Sequence, residues 1–219
     1  MEYKAVLFDL DGTLLNTLRD ISDAANTALA GFGFTQHPEH SYRFFVGKGL
    51  RALALQALPE AHRDETTLNQ VTARMLDEYS KRAVSTTTPF PGIPELLDEL
   101  TGHGIRMAIL SNKPQTAADL TVSKLLPNWR FEVVAGASPS VPLKPDPASA
   151  LQIARQMNLN PGEFVYLGDS DIDMKTANAA GMYPVGAMWG FQTAQELLLG
   201  GAKLLFHEPY QLMDLFQMS

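Results

Sequence analysis

The sequence predicts an α/β fold, a Rossmann-like parallel sheet covered by helices and interrupted after its first strand by an all-helical insert. Three observations carry this. Short apolar runs recur along the chain, each closing on turn residues and followed by a helical pattern. Runs of four or five apolar residues are too short for helices and suit strands buried on both faces. Alternation of such strands with helices implies a parallel sheet. The third observation is an interruption: from Leu15 to about Thr88 the patterns are helical, with no convincing strand.

The first strand is Ala5-Val6-Leu7-Phe8, which leads to Asp9. In the insert, Leu18, Ile21, Ala25, Ala28 and Leu29 share one helical face, with Asn16 as N-cap and Gly31 just past the end. Leu68, Val71, Met75 and Tyr79 repeat at the same period. The polar, Pro-rich Ser85 to Gly92 returns the chain to the sheet. Helices are then expected at Ile93 to Leu100, Gln115 to Leu125, Pro147 to Met157 and Ile172 to Ala180, the last stopping at Gly181. Between them come strands at Arg106 to Leu110, leading to Ser111; at Phe131 to Ala135; and at Phe164 to Leu167, leading to Gly168-Asp169. Weaker strands follow at Tyr183-Val185 and Lys203-Phe206. Residues 1–15 and 88–219 thus form the α/β core and 16–87 the helical insert.

Composition narrows the function. Hydrophobic residues make up 45% and charged residues 19% of 219, as in an ordinary globular protein rather than a disordered one. Lys+Arg number 17 against 24 Asp+Glu, a net charge of −7 with no long basic tract, so a nucleic-acid partner is not expected. The absence of cysteine excludes disulfides, thiolate metal sites and a Cys nucleophile. The N-terminus carries no cationic leader. The longest uncharged stretch, Thr176 to Gln195, is broken by Asn178, Pro184, Gln192 and three glycines, so it lacks the apolarity of a membrane span. The expectation is a soluble, cytoplasmic protein.

Ligands of open α/β sheets collect at the carboxyl ends of the strands. There the chain places Asp9 and Asp11, Ser111-Asn112-Lys113, and Asp169 with Asp173, while Lys144 lies just ahead of a helix. In Asp9-Leu10-Asp11-Gly12-Thr13, alternation turns both aspartates to one side, and Gly12 allows a sharp turn and close approach of a phosphate. An Asp-Gly hairpin turn is the plainer reading, but a preceding buried strand does not suit it. An EF-hand calcium loop is excluded because Asp169, Asp171 and Asp173 fill its first, third and fifth positions while the sixth is Met174 and the twelfth Ala180. Gly47-Lys48-Gly49 lacks the spacing of a phosphate loop. Hard oxygen ligands around an open position suit Mg²⁺, and a carboxylate nucleophile suits phosphoryl transfer in two steps.

Four motifs carry a resemblance: Asp9-Leu10-Asp11-Gly12-Thr13-Leu14, Ser111-Asn112-Lys113-Pro114, Lys144-Pro145-Asp146-Pro147 and Gly168-Asp169-Ser170-Asp171-Ile172-Asp173. Their order and contexts resemble the haloacid dehalogenase superfamily of phosphatases over nearly the whole chain, and the insert resembles that family's cap. The resemblance implies Asp9 as nucleophile, Asp11 as acid/base, and Thr13, Ser111 and Asn112 as holders of the phosphoryl group. It implies Lys144 as the group that neutralises the phosphoryl and positions Asp9. Mg²⁺ would be held by the Asp9 carboxylate, the Asp11 carbonyl and Asp169, with Asp173 acting from outside. Asp171 is given no role and is expected to be exposed.

The implied substrate is a small phosphate monoester, 2-phosphoglycolate first, its carboxylate met by Lys48, Arg51 or amides around Gly47–Gly49. Val46 to Arg51, Pro89-Phe90-Pro91-Gly92 and Trp189-Gly190-Phe191 are the cues. Another phosphorylated metabolite, a sugar phosphomutase reaction and a catalytically silent binding module are the alternatives. A Gly-x-Ser-Arg second-phosphate pattern is absent, and the simultaneous presence of Asp9, Asp11, Lys144 and Asp169 opposes a silent module. A monomer or homodimer is expected.

Overall fold

The computed structural model describes residues 3–82 and 84–216. β1 (Ala5–Phe8) and β2 (Leu15–Asn16) precede α1 (Leu18–Gly31), α2 (Leu50–Ala57) and α3 (Glu65–Arg82). β3 (Thr88–Pro89) returns the chain to α4 (Ile93–Gly102), β4 (Arg106–Pro114), α5 (Gln115–Leu125) and β5 (Val133–Ala137). α6 (Ala148–Gln156), β6 (Phe164–Gly168), α7 (Asp171–Ala180), β7 (Tyr183–Ala187), α8 (Ala194–Gly200) and β8 (Leu204–Phe206) complete it.

Six strands form one parallel sheet in the order β5-β4-β1-β6-β7-β8. Side chains alternate across a strand, so β1 serves two cores at once. Val6 and Phe8 pack with Ile109, Leu167 and the α4 face Ile93, Leu96, Leu97 and Leu100. Ala5 and Leu7 pack with Leu110, Tyr166, Ile153 and Met157 on the other side. Both layers are dry: every β1 residue is fully buried. That explains the unbroken apolar runs, since a strand covered on both faces has no polar positions to show.

The helical module has a separate core of Ala25, Ala28, Leu29, Tyr42, Leu53, Leu58, Leu68, Val71 and Met75, drawn from α1, α2, α3 and the turns between. It joins the sheet domain through the antiparallel pair of β2 and β3, with Leu15 opposite Pro89 and Asn16 opposite Thr88. Beside that pair, Asp20 in the first turn of α1 is buried and accepts hydrogen bonds from the backbone N–H and hydroxyl of both Thr86 and Thr87.

Local details depart from expectation. Asn16 does not cap α1; it lies in β2, Thr17 occupies the cap position, and Gly31 ends the helix rather than following it. The strand expected from Phe131 starts at Val133, because Phe131 turns its ring edge-on to Phe8 and joins the core instead of the ladder. β4 runs on past Leu110 to Pro114, where an irregular pairing with Ala137 extends it. Among the described residues no helix is long and apolar enough to cross a membrane.

Candidate active site

The register of β1 with its neighbours determines which residues meet at the sheet's carboxyl edge. Phe8 lies beside Ile109 and Leu167, so Asp9, Ser111 and Asp169 all emerge within two residues of one level. The Asp9 N–H donates to the Leu167 carbonyl at 2.9 Å, continuing the ladder to the site itself. Asp173 arrives differently. Ser170 caps α7, and Asp173 in the first turn returns the favour through a bond from the Ser170 N–H to its Oδ2 at 3.1 Å. This reciprocal cap holds a fully buried carboxylate in one orientation.

Carboxylate oxygens of Asp9, Asp169 and Asp173 lie within 4.8 Å of one another, all buried. Lys144 joins two of them: its Nζ donates to Asp9 Oδ1 at 2.6 Å, Asp173 Oδ1 at 2.7 Å and the Leu110 carbonyl at 3.0 Å. Asp169 accepts from the Thr13 hydroxyl at 3.2 Å and the Phe191 N–H at 2.7 Å. Two glycines make the fit around Asp169 possible. A Cβ on Gly12, whose φ is +97°, would lie 2.2 Å from Asp169 Oδ2, and one on Gly190 would lie 2.2 Å from Asp169 Cβ. Neither position has room for any side chain.

Three buried carboxylates repel one another, and burial penalises each charge. Burial and the neighbouring Asp173 push the Asp9 carboxyl up to about 7 against the pull of Lys144. Burial first, then Asp9 and Asp173, raise Asp169 well above the carboxylate range. Burial opposes the charge of Lys144, yet Asp173 and Asp9 hold it well above the ordinary lysine value. Three carboxylates and one ammonium, all ionised, would leave two negative charges among buried side chains. A divalent cation with hard oxygen ligands would cancel both, so the donor set fits Mg²⁺.

Asp11 points elsewhere in the same cleft. Its Oδ1 accepts from Lys113 Nζ at 2.8 Å, a nearly dry pair, and that ammonium lies 4.4 Å above the Tyr79 ring of α3. Burial disfavours the Lys113 charge, but the Asp11 carboxylate beside it holds the pKa above the ordinary lysine value. Ser111 accepts from the Lys113 N–H, and the Asn112 side chain brackets Lys144, donating to its carbonyl and accepting from its N–H. Asn112 also donates to the Gly47 carbonyl of the module at 2.9 Å.

Asp9, Asp11, Ser111, Asn112, Lys144 and Asp169 line one cleft between sheet edge and module. Lys48 and Arg51 are not among its lining residues. Arg51 forks onto Glu65 and bonds Asn69 on the exposed side of the module, and Lys48 is exposed, its charge felt by Asp171. Asp171, expected to be free of any role, is half-exposed and pairs with Lys175 and Gln192. The module's cation that does line the cleft is Arg43. Arg43 and Lys113 were both missed by sequence reasoning. Lys113 had a signal, since it stands inside a motif whose other members were assigned; Arg43 had none.

Comparison with known proteins adds four findings. The family model described as haloacid dehalogenase-like hydrolase matches residues 6–187. The phosphoglycolate phosphatase of Psychrobacter arcticus is 31% identical, the match covering 90% of this chain and 88% of that protein. The phosphoglycolate phosphatase of Xanthomonas campestris pv. campestris is 32% identical over 96% and 95%. A crystal structure from Lactobacillus delbrueckii subsp. bulgaricus, itself provisionally assigned as a phosphoglycolate phosphatase, superposes with a TM-score of 0.93 over 100% of both chains at 28% identity.

Proposed function

The chain belongs to the haloacid dehalogenase-like hydrolase family and is a phosphatase within it; from that premise we propose that it hydrolyses a small phosphate monoester through a phosphorylated Asp9, with 2-phosphoglycolate as the preferred substrate. The observation that carries the reading is the placement of Lys144 between Asp9 and Asp173, with Asp169 completing the acidic cluster.

Lys144 fixes the Asp9 side chain through Oδ1 and aims it into the cleft. Asp9 attacks phosphorus: a carboxylate O–P bond forms as the ester P–O bond breaks, and Asp11, which has to enter the step protonated and so give up its ion pair with Lys113, protonates the departing oxygen. Asp11, now a carboxylate, takes a proton from water as the water oxygen bonds phosphorus and the Asp9 O–P bond breaks, which releases phosphate and restores the Asp9 carboxylate. Ser111 and the Asn112 N–H hold the phosphoryl oxygens, which Lys144 also neutralises, and Thr13 joins them only by turning its hydroxyl away from Asp169. Asp9, Asp169 and the Asp11 carbonyl would hold Mg²⁺, with Asp173 behind them. When bound there, Mg²⁺ supplies charge neutralisation to the phosphoryl group and keeps the Asp9 carboxyl ionised.

Residues 16–87 act as the cap that selects the leaving group. The lining that they contribute is mostly apolar, Ile21, Leu50, Leu53 and Met75 among it, which favours a small leaving group over a polyhydroxylated sugar. The substrate carboxylate lies toward the Gly47–Gly49 loop, with Lys48 adding its field; Arg51 joins only by leaving Glu65. The test is phosphate release in Mg²⁺ from phosphoglycolate, glycerol phosphate, hexose phosphates, pyrophosphate and nucleotides. The expected result is the highest kcat/KM for phosphoglycolate and no turnover in Asp9→Asn. A tenfold preference for another compound (about 1.4 kcal/mol) discards phosphoglycolate and keeps the chemistry; near-normal turnover in Asp9→Asn discards the chemistry.

A further inference from the structure

The turn Trp189-Gly190-Phe191-Gln192, after β7, is gripped from the core at several points. The Trp189 indole N–H donates to the Thr13 carbonyl at 2.9 Å. Gly190 lies flat against Asp169, and the Phe191 N–H donates to Asp169 Oδ2. The Gln192 side chain accepts from the Asp171 N–H at 2.7 Å. These contacts make the turn the outer wall of the Asp169 carboxylate.

One further grip comes from the other side of the cleft. Arg43, in the short 3₁₀ turn Glu39–Phe44 of the helical module, donates from Nε to the Phe191 carbonyl at 3.0 Å, and its Nη2 bonds the same oxygen. Phe191 is therefore held by the module through its carbonyl and by Asp169 through its N–H. A guanidinium fork keeps its charge and its planar donor geometry, so it acts as a stiff strut rather than a loose tether. Among the described residues the module's other links to the cleft are longer: Gly47 reaches Asp9 and Asp173 through Asn112 and then Lys144, while Tyr79 meets Lys113, which pairs with Asp11.

We propose that Arg43 is a positioning residue that couples the placement of the helical module to the orientation of Asp169, and thereby to the affinity of the acidic cluster for its divalent cation. The inference rests on the reading that Asp9 and Asp169 hold Mg²⁺. With Arg43 in place, the Phe191 N–H stays on Asp169 and one carboxylate rotamer is held ready. Without it the turn loses its outer support and Asp169 must be ordered at the moment of binding. Coupling of this kind is reciprocal: whatever draws the module against the core tightens the cation, and the cation draws the module in to the same extent.

Calorimetric titration of the full chain with Mg²⁺, with and without inorganic phosphate, tests this on wild type, Arg43→Met and Arg43→Lys. Arg43→Met should weaken Mg²⁺ about fivefold or more, the lower end of typical site–site coupling. It should also remove most of the tightening that phosphate confers on wild type. Arg43→Lys, which keeps the charge and loses the fork, should fall between. A brace with a merely structural role would lower the melting temperature and leave Mg²⁺ affinity unchanged. Affinity within twofold of wild type in folded Arg43→Met overturns the proposal, and if that variant fails to fold, wild-type affinity in Arg43→Lys overturns it instead. Wild type that binds no Mg²⁺ overturns the metal reading itself, and this coupling with it.

Discussion

Replacing Asp20 by Ala should destabilise the protein by an amount that its contacts with Thr86 and Thr87 set. Asp20 accepts from the Thr86 N–H at 3.1 Å and hydroxyl at 2.7 Å, and from the Thr87 N–H at 3.0 Å and hydroxyl at 2.6 Å. Thr86 is exposed and its two donors can turn to water, whereas Thr87 is buried and its donors cannot. Two stranded donors at roughly 1.5 kcal/mol each give a loss of about 3 kcal/mol. For a chain of this length that is a fall of roughly 6–12 °C in melting temperature. Guanidinium denaturation at pH 7 measures it. The pH dependence supplies a second check. Burial alone would raise the Asp20 carboxyl, but the hydrogen bonds from Thr87 and Thr86 outweigh it and hold its pKa below the ordinary value. A lowered folded-state pKa means the contribution is whole above the unfolded-state value of about 3.9 and is lost as pH falls through the folded value. The penalty of Asp20→Ala should therefore be flat from pH 8 to 5 and shrink on further acidification. A loss under about 1 kcal/mol, or a penalty that grows as pH falls, would refute the reading that Asp20 secures Thr86 and Thr87 against α1.

Lys144→Met leaves three buried carboxylates with no ammonium among them, so turnover should vanish and stability should fall by about 3–5 kcal/mol. Mg²⁺ should restore part of that stability, and a metal-free melt unchanged from wild type would count against the electrostatic account. Gly190→Ala brings a Cβ to 2.2 Å from Asp169 Cβ and 2.5 Å from the Gly12 carbonyl, and kcat should fall by at least about tenfold; an alanine variant with normal kcat would show that the turn yields freely. Asp11→Asn should spare the transfer step for substrates with good leaving groups and slow it for poor ones, read as the slope of kcat/KM against leaving-group pKa, since kcat also carries the lost base of the second step. An equal loss across the series would remove Asp11 from acid catalysis.

The sheet and the side chains that meet at its carboxyl edge were legible because their signals are local. A buried strand followed by Asp9, or by Gly168-Asp169, is written in a handful of adjacent letters, and parallel packing brings such ends together without further information. The module's faces were legible for the same reason, with Leu68, Val71, Met75 and Tyr79 all buried as their spacing implies. What escaped were pairings across long stretches of chain. Arg43 meets a carbonyl 148 residues away, Asp20 meets Thr86 66 residues away, and Lys113 meets Asp11 across 102. A cation's identity says nothing of whether it will face a substrate, a carboxylate or water, and so Lys48 and Arg51 drew attention that the cleft gives to Arg43. The misplaced cap at Asn16 has a related cause: a two-residue strand pair took a side chain that local preference would send to the helix.

The reciprocal cap at Ser170 and Asp173 has a consequence for how this protein can change. Asp173 secures the start of α7 and grips Lys144 with the same carboxylate, so a single mutational step there damages architecture and chemistry together. Selection cannot trade one against the other at that position. The Gly47–Gly49 loop meets Asn112 through the Gly47 backbone carbonyl, a contact that a change of the exposed Lys48 side chain leaves in place. Drift toward new substrates should accordingly accumulate in the helical insert, while the far end of the sheet stays frozen across descendants that no longer share a reactant.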